Sequence, residues 1–322
     1  MSKKTLTFLV LSLCLVAAVV LSLAHGHTIG AVVRGFVQDD GFGLILRRIR
    51  IPRTILALLV GGSLGVCGVV LQSILQNPLA EPYTLGVSGG ASFGITLAAL
   101  LGLERTLGGF ANPISGFAGA LFAVSLVYAL SRRRFFEPAN MVLFGIVISL
   151  VFSSLVFFIF SILDPDRMQT TLMWIMGDLS SLEIGLLPAY IPLFLVPAVA
   201  LLFFGKELDI LSLGPEKARY LGVQPARMYR LLFIITSLLT ATCVSAAGII
   251  GFVGLIVPHV LRHVMGPGHL SLLCASYLGG AFFLIASDVF SRYLLYPVEL
   301  PVGVITGILG GLILLVLILR RK

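Results

Sequence analysis

LLFIITSLLTATCVSAAGIIGFVGLIVPHVL, residues 231–261, runs for 31 positions without an Asp, Glu, Lys or Arg. As one helix it would be about 46 Å long at roughly 1.5 Å per residue, against a bilayer core of about 30 Å. It contains Gly248, Gly251 and Gly254, with Pro258 near its end. A break at Gly248 turns the window into one full span and a second, shorter one. Eight further windows lack those four residue types: 5–33, 54–80, 82–103, 106–131, 138–163, 184–205, 263–287 and 300–319. Nine windows, one of them double, predict ten spans.

The composition points the same way. Of 322 residues only 11% are charged, 22 basic and 14 acidic, while 58% are hydrophobic. A soluble domain carries about 25% charged residues. A soluble globular enzyme, a disordered chain and a disulfide scaffold are excluded. Ten spans of about 20 residues leave roughly 120 for every loop, so residues 1–322 read as a single all-α, polytopic transmembrane domain. Both termini are basic, with Lys3 and Lys4 at one end and Arg320, Arg321 and Lys322 at the other. Positive residues favour the cytoplasmic side, and ten spans, unlike nine, put both termini there. That arrangement places 14 of the 22 Lys and Arg inside and 9 of the 14 acids outside. The net charge of +8 is therefore a topology signal and calls for no nucleic acid. Ser22-Leu23-Ala24 resembles a signal-peptide cleavage site, but the first span is expected to stay, because removing it spoils the parity.

No predicted span carries a carboxylate at its middle; Asp288 and Glu299 fall at span edges. Ion-coupled secondary transporters usually need intramembrane acids or broken helices around an ion site, so that alternative is disfavoured. The pathway is expected to be apolar and lined by small residues. No GxxxxGK[ST] phosphate loop occurs, so any ATPase is expected on another chain, and no cofactor is expected on this one. No nucleophile–base pair is apparent, so no catalytic residue is assigned. Cys14, Cys67, Cys243 and Cys274 fall inside spans and read as small packing residues. His259 and His263 share a helix face without an accompanying Asp, Glu or Cys, and neither they nor His25-Gly26-His27 is assigned a metal. Gly61/Gly65, Gly90/Gly94, Gly303/Gly307 and Gly307/Gly311 stand four apart, the spacing that lets helix backbones approach closely. Met168–Ser181 is expected to be a short outer helix lying on the membrane, with Trp174 in the interfacial aromatic belt.

Five segments carry a resemblance. They are Arg50-Ile51-Pro52-Arg53; residues 76–82, QNPLAEP, with 85–91, LGVSGGA; residues 214–223, GPEKARYLGV; residues 251–259, GFVGLIVPH; and residues 299–303, ELPVG. In this order, over nearly the whole chain, they resemble the FecCD-type permeases of bacterial ABC importers, which carry ferric siderophores, haem or vitamin B12. The resemblance implies a homodimer, or a pair with a paralogous permease, in the inner membrane. It also implies two ATP-binding subunits below and an extracytoplasmic substrate-binding protein above. By resemblance, Arg50, Arg53 and Arg292 receive the binding protein's carboxylates; from the residues alone, snorkelling at the interface remains the alternative. Glu216, Ala218 and Gly222, in the inside loop 206–230, match a coupling helix of the pattern Glu-Ala-Ala-x-x-x-Gly, with Lys217 in place of the middle Ala. Asn77 and Leu79, beside the helix-breaking Pro78, match an inner gate; an ordinary tight turn is the alternative.

Overall fold

The structure, a computed structural model, describes residues 3–24, 32, 35, 41–133, 136–180 and 184–320. His25 and His27 lie outside these, as do Arg34 and Arg134. Thirteen α-helices of six or more residues make up the bundle among the described residues. Helix α1 is Lys3–Ala24, α2 Ile51–Ile74, α3 Val87–Leu101, α4 Ala111–Arg132, α5 Pro138–Phe160 and α6 Pro165–Ile175. Then follow α7 Leu187–Leu202, α8 Gly205–Leu211, α9 Pro215–Tyr220, α10 Pro225–Ala247, α11 Val253–Met265, α12 His269–Tyr293 and α13 Val302–Arg320. Proline occupies the first turn of α2, α5, α6, α7, α9 and α10, where its missing N–H leaves no hydrogen bond unmade.

Six of these helices, α1, α2, α4, α5, α10 and α12, are long and apolar enough to cross a membrane. The pair α7–α8 qualifies jointly but bends by 54°, and α3, α11 and α13 are shorter apolar helices. These helices fall on the segments that the charge-free windows mark, and six of them, or seven with the bent pair, have the length and composition of a span. The 31-residue window is indeed broken where its glycines stand. Helix α10 ends at Ala247, Gly248 takes φ +70°, and α11 begins at Val253.

Helix α2 is the axis of the bundle, with 20 of its 24 residues buried. A helix buried on every side needs an apolar surface all round, and close neighbours need small residues. Both are present. A methyl group at Gly65 would stand 2.1 Å from the carbonyl oxygen of Ser276 on α12, and one at Gly61 2.4 Å from that of Gly280. Helices α3 and α4 meet in the same way, Gly94 at 2.2 Å from the Ser115 oxygen and Gly90 at 2.4 Å from that of Gly119. Gly303 fits against the Met176 and Ile249 oxygens, but nothing lies within 4 Å of a methyl at Gly307 or Gly311. The expected packing therefore fails at those two glycines, because no described segment covers their face of α13. Helices α1 and α5 are peripheral and expose Leu9, Leu13, Leu150 and Phe157 among others.

The segment Pro165–Ile175 is a helix, but Trp174 corrects the expectation of an aromatic belt. It is only 7% exposed. Its ring lies over Gly116, where a methyl would stand 3.2 Å from it, and its carbonyl meets Gly248. Gly116 makes room for the indole inside the bundle, and burying so large a ring removes more apolar surface from contact with water than an interfacial position does.

Candidate functional site

At the end of the bundle assigned to the outside by the charge pattern, four charged residues form one cluster. Arg53, near the start of α2, donates from Nε to Asp288 Oδ1 at 2.9 Å and from Nη1 to Glu299 Oε2 at 2.6 Å. Arg292 pairs with Asp288 Oδ2 at 2.9 Å, one turn along α12, and donates to Ser22 Oγ at 2.9 Å. Ser22 in turn shares a 2.9 Å hydrogen bond with Thr54. The Arg53, Arg292 and Asp288 side chains are 7%, 4% and 1% exposed, whereas Glu299 is 53% exposed. Arg50 is half-buried, donates to the Leu23 carbonyl at 2.7 Å and stands over the Phe42 ring. The structure thus brings Arg50, Arg53 and Arg292 to one place and gives each an intramolecular partner. Arg53 and Arg292 tie α1, α2 and α12 together, a role that neither docking nor snorkelling anticipates. Asp288 is a fully buried carboxylate five residues before the end of α12.

At the opposite end, α8 and α9 present the segment expected to meet an ATPase. Pro215–Tyr220 is helical. Gly222 N–H donates to Arg219 O at 3.1 Å and Val223 N–H to Ala218 O at 2.9 Å, the paired bonds of a Schellman ending with glycine in the left-handed region at φ +84°. Glu216 and Lys217 are exposed, while Ala218 is wholly buried. Ala218 therefore seats the helix on the bundle, and Glu216 faces outward. Three large apolar side chains are exposed beside them: Leu213 at 53%, Leu221 at 57% and Tyr220 at 92%. The sequence pattern did not single these out, since exposure of a Leu or Tyr is decided by what packs over it.

Between α2 and α3 the chain turns back into the bundle. Asn77 Oδ1 accepts the Leu79 N–H at 3.0 Å, and Gln76 through Leu79 are exposed. From Ala80 the loop is enclosed again. Pro82 lies against Gly254, and Gly254 lies against Gly68, six residues or roughly 9 Å before the end of α2. Glu81 accepts the Phe252 N–H, and the Tyr83 hydroxyl accepts the Ile250 N–H at 3.2 Å. A carboxylate thus sits within the bundle although no helix carries one at its centre. A re-entrant loop brought Glu81 to a place that a window count does not reveal, whereas Asp288 lies near the end of its helix, as expected.

A further cluster lies at the start of α12. His269 Nδ1 is 2.6 Å from Asp209 Oδ1 on α8, and Nε2 is 2.8 Å from Ser73 Oγ on α2. Asp209 also accepts the His269 backbone N–H at 2.8 Å. The chain links the segment leading into α9 to the two most closely packed helices. His259 and His263 meet edge to face, ring centroids 5.5 Å apart.

An all-helical bundle with six long apolar helices, glycine-to-backbone packing and re-entrant backbone has the make-up of a multi-pass membrane protein. The chain belongs to the FecCD transport family, whose model matches residues 6–320. It is 33% identical to the hemin transport system permease protein HmuU of Yersinia pestis, over 98% of this chain and 96% of that protein. It is 34% identical to the iron(3+)-hydroxamate import system permease protein FhuG of Bacillus subtilis, over 90% and 87% respectively. A solved metal-chelate type ABC transporter in an inward-facing conformation superposes with a TM-score of 0.86 at 31% identity, over 99% of this chain and all of that one. The chain is a permease subunit of an ABC transporter in the cytoplasmic (inner) membrane. It is not itself an enzyme, and the ATPase is a separate subunit.

Proposed function

We propose that this permease carries a chelated cargo inward by alternating access, ferric siderophore first and haem or vitamin B12 next. In this reading ten helices cross the membrane with both termini cytoplasmic. Two copies, or one copy and a paralogous permease, enclose the pathway. Two ATP-binding subunits engage the loop 206–230 through Glu216, the Ala218-seated helix and its Gly222 ending. An extracytoplasmic binding protein delivers cargo at Arg50, Arg53 and Arg292, and Asn77 and Leu79 form the inner gate. The observation that carries the ATPase side is the short helix of α9 with Leu213, Tyr220 and Leu221 exposed around it, an apolar surface suited to a protein groove. On the docking side, Arg50 is the least enclosed of the three arginines. Arg53 and Arg292 would meet an incoming carboxylate by exchanging Glu299 or Asp288, which gives orientation and encounter rate more than affinity.

Reconstitution of the permease with its ATPase and binding protein in liposomes tests the reading. Uptake of a ferric hydroxamate, hemin or cobalamin should require ATP and the ATPase. Accumulation driven by an ion gradient in vesicles lacking any ATPase would establish the alternative, a secondary transporter.

A further inference from the structure

We propose that Glu81 and Tyr83 are positioning residues that dock the gate loop onto the unwound junction between α10 and α11, so that Asn77 and Leu79 move only when that junction moves. The proposal rests on the reading of those two residues as the inner gate. It begins from where the junction's backbone hydrogen bonds go, since an unpaired N–H away from water is costly. Gly248 N–H is satisfied within α10 by Val244 O, and Ile249 N–H reaches Ile175 O at the end of α6 at 3.4 Å. Two further N–H groups of the junction meet side chains of the gate loop: the Tyr83 hydroxyl takes Ile250 N–H, and the Glu81 carboxylate takes Phe252 N–H.

Two further contacts hold the same pair of segments together. Gln72 Nε2, one turn before the gate loop, donates to Leu255 O at 3.0 Å. Pro82 fills the space over Gly254, where a methyl would meet its Cδ at 2.6 Å. The junction is also strained where Glu81 grips it. Phe252 takes φ +68°, a left-handed conformation that a bulky residue adopts only when its surroundings impose it. On its other side the junction is tied to segments near the far end of the bundle. Asp178 N–H donates to Ala247 O at 2.9 Å, and Gly303 lies against the Met176 and Ile249 oxygens. The junction therefore links the segments after α6 and before α13 to the loop that holds Asn77 and Leu79. The required property of Glu81 is an acceptor oxygen of the right reach; its charge is secondary.

The test uses the full chain in lipid nanodiscs, with Cys14, Cys67, Cys243 and Cys274 replaced and a spin label on Leu79→Cys, a position already 47% exposed. Glu81→Ala and Tyr83→Phe should each raise the mobile-to-immobile ratio of the label about tenfold, the order expected when one buried N–H loses its acceptor. Both should speed amide exchange in peptides covering 248–254. Glu81→Gln, which keeps an acceptor oxygen, should restore both readouts to within about twofold of the parent. Melting temperatures identify any variant that fails to fold, and Tyr83→Phe, a loss of one hydroxyl, provides a mild second variant. An unchanged label spectrum in folded Glu81→Ala and Tyr83→Phe overturns the proposal. So does a Glu81→Gln spectrum as mobile as that of Glu81→Ala, which would assign the effect to charge. Failure of the gate reading shows separately: ATP-driven uptake unaffected by Leu79→Trp removes the gate role, while the label result still reports the docking.

Discussion

Gly222 offers the sharpest perturbation, because its cost comes from the backbone alone. No atom lies within 4 Å of a methyl built on it, yet its φ is +84°. A side chain there has room and the wrong dihedral. An L-residue in this left-handed region costs about 1–2 kcal/mol, more for a β-branched one, while Asn is tolerated. About 1 kcal/mol is roughly a fivefold shift toward a frayed helix end, and about 2 kcal/mol roughly thirtyfold. What frays is the pair of bonds from Gly222 and Val223 back to Arg219 and Ala218, and with them the orientation of Glu216 and Tyr220. Gly222→Asn, Gly222→Ala and Gly222→Val should therefore lower the cargo imported per ATP hydrolysed in that order. The assay is uptake and ATP hydrolysis measured side by side in proteoliposomes containing the partner ATPase. The melting temperature should barely change, since residue 222 is exposed. A coupling ratio for Gly222→Val equal to wild type, or one for Gly222→Asn as low as that for Gly222→Val, would refute the reasoning.

Three further outcomes are expected. Asp288→Ala leaves Arg53 and Arg292 buried without their shared carboxylate, which should cost about 3–5 kcal/mol and appear as a large fall in the detergent melting temperature; Glu299→Gln, at an exposed carboxylate, should cost far less. Gly65→Ala should separate α2 from α12 and destabilise by about 1–3 kcal/mol, whereas Gly307→Ala, with nothing within 4 Å, should be close to neutral in the same melt. Arg50→Glu should slow association with the binding protein, and the difference from wild type should shrink as salt is raised from about 0.01 to 1 M; surface plasmon resonance with the permease captured in nanodiscs reads this directly.

The positions and order of the apolar helices were legible in the sequence because charge is so costly in a bilayer that its absence marks each candidate segment. The break at Gly248 was legible too, since a window of 31 residues is too long for one crossing and glycine marks where it yields. The short helix of residues 215–220 and its glycine ending could be read locally, because capping involves only residues a few positions apart. The family resemblance drew Arg50, Arg53 and Arg292 to attention as a set, but not what they do within the chain. Arg53 meets Asp288 and Glu299 across more than 230 positions, a separation at which no periodicity survives. Trp174 looked interfacial because belt tryptophans and buried ones share the same local sequence; Gly116 on another helix decided between them.

The sequence by itself determined that the chain is an all-helical membrane protein, where its long apolar segments fall and where the short helix of residues 215–220 ends. These follow from interactions each residue has with the solvent or with its near neighbours along the chain. Only the tertiary structure decided which charges are buried in pairs, that Glu81 is carried into the bundle, and that the loop of Asn77 and Leu79 rests on the junction after Gly248. Those are partnerships between segments far apart in the chain, and hydrogen bonds and ion pairs of a few ångströms exist only once packing has brought their two ends together.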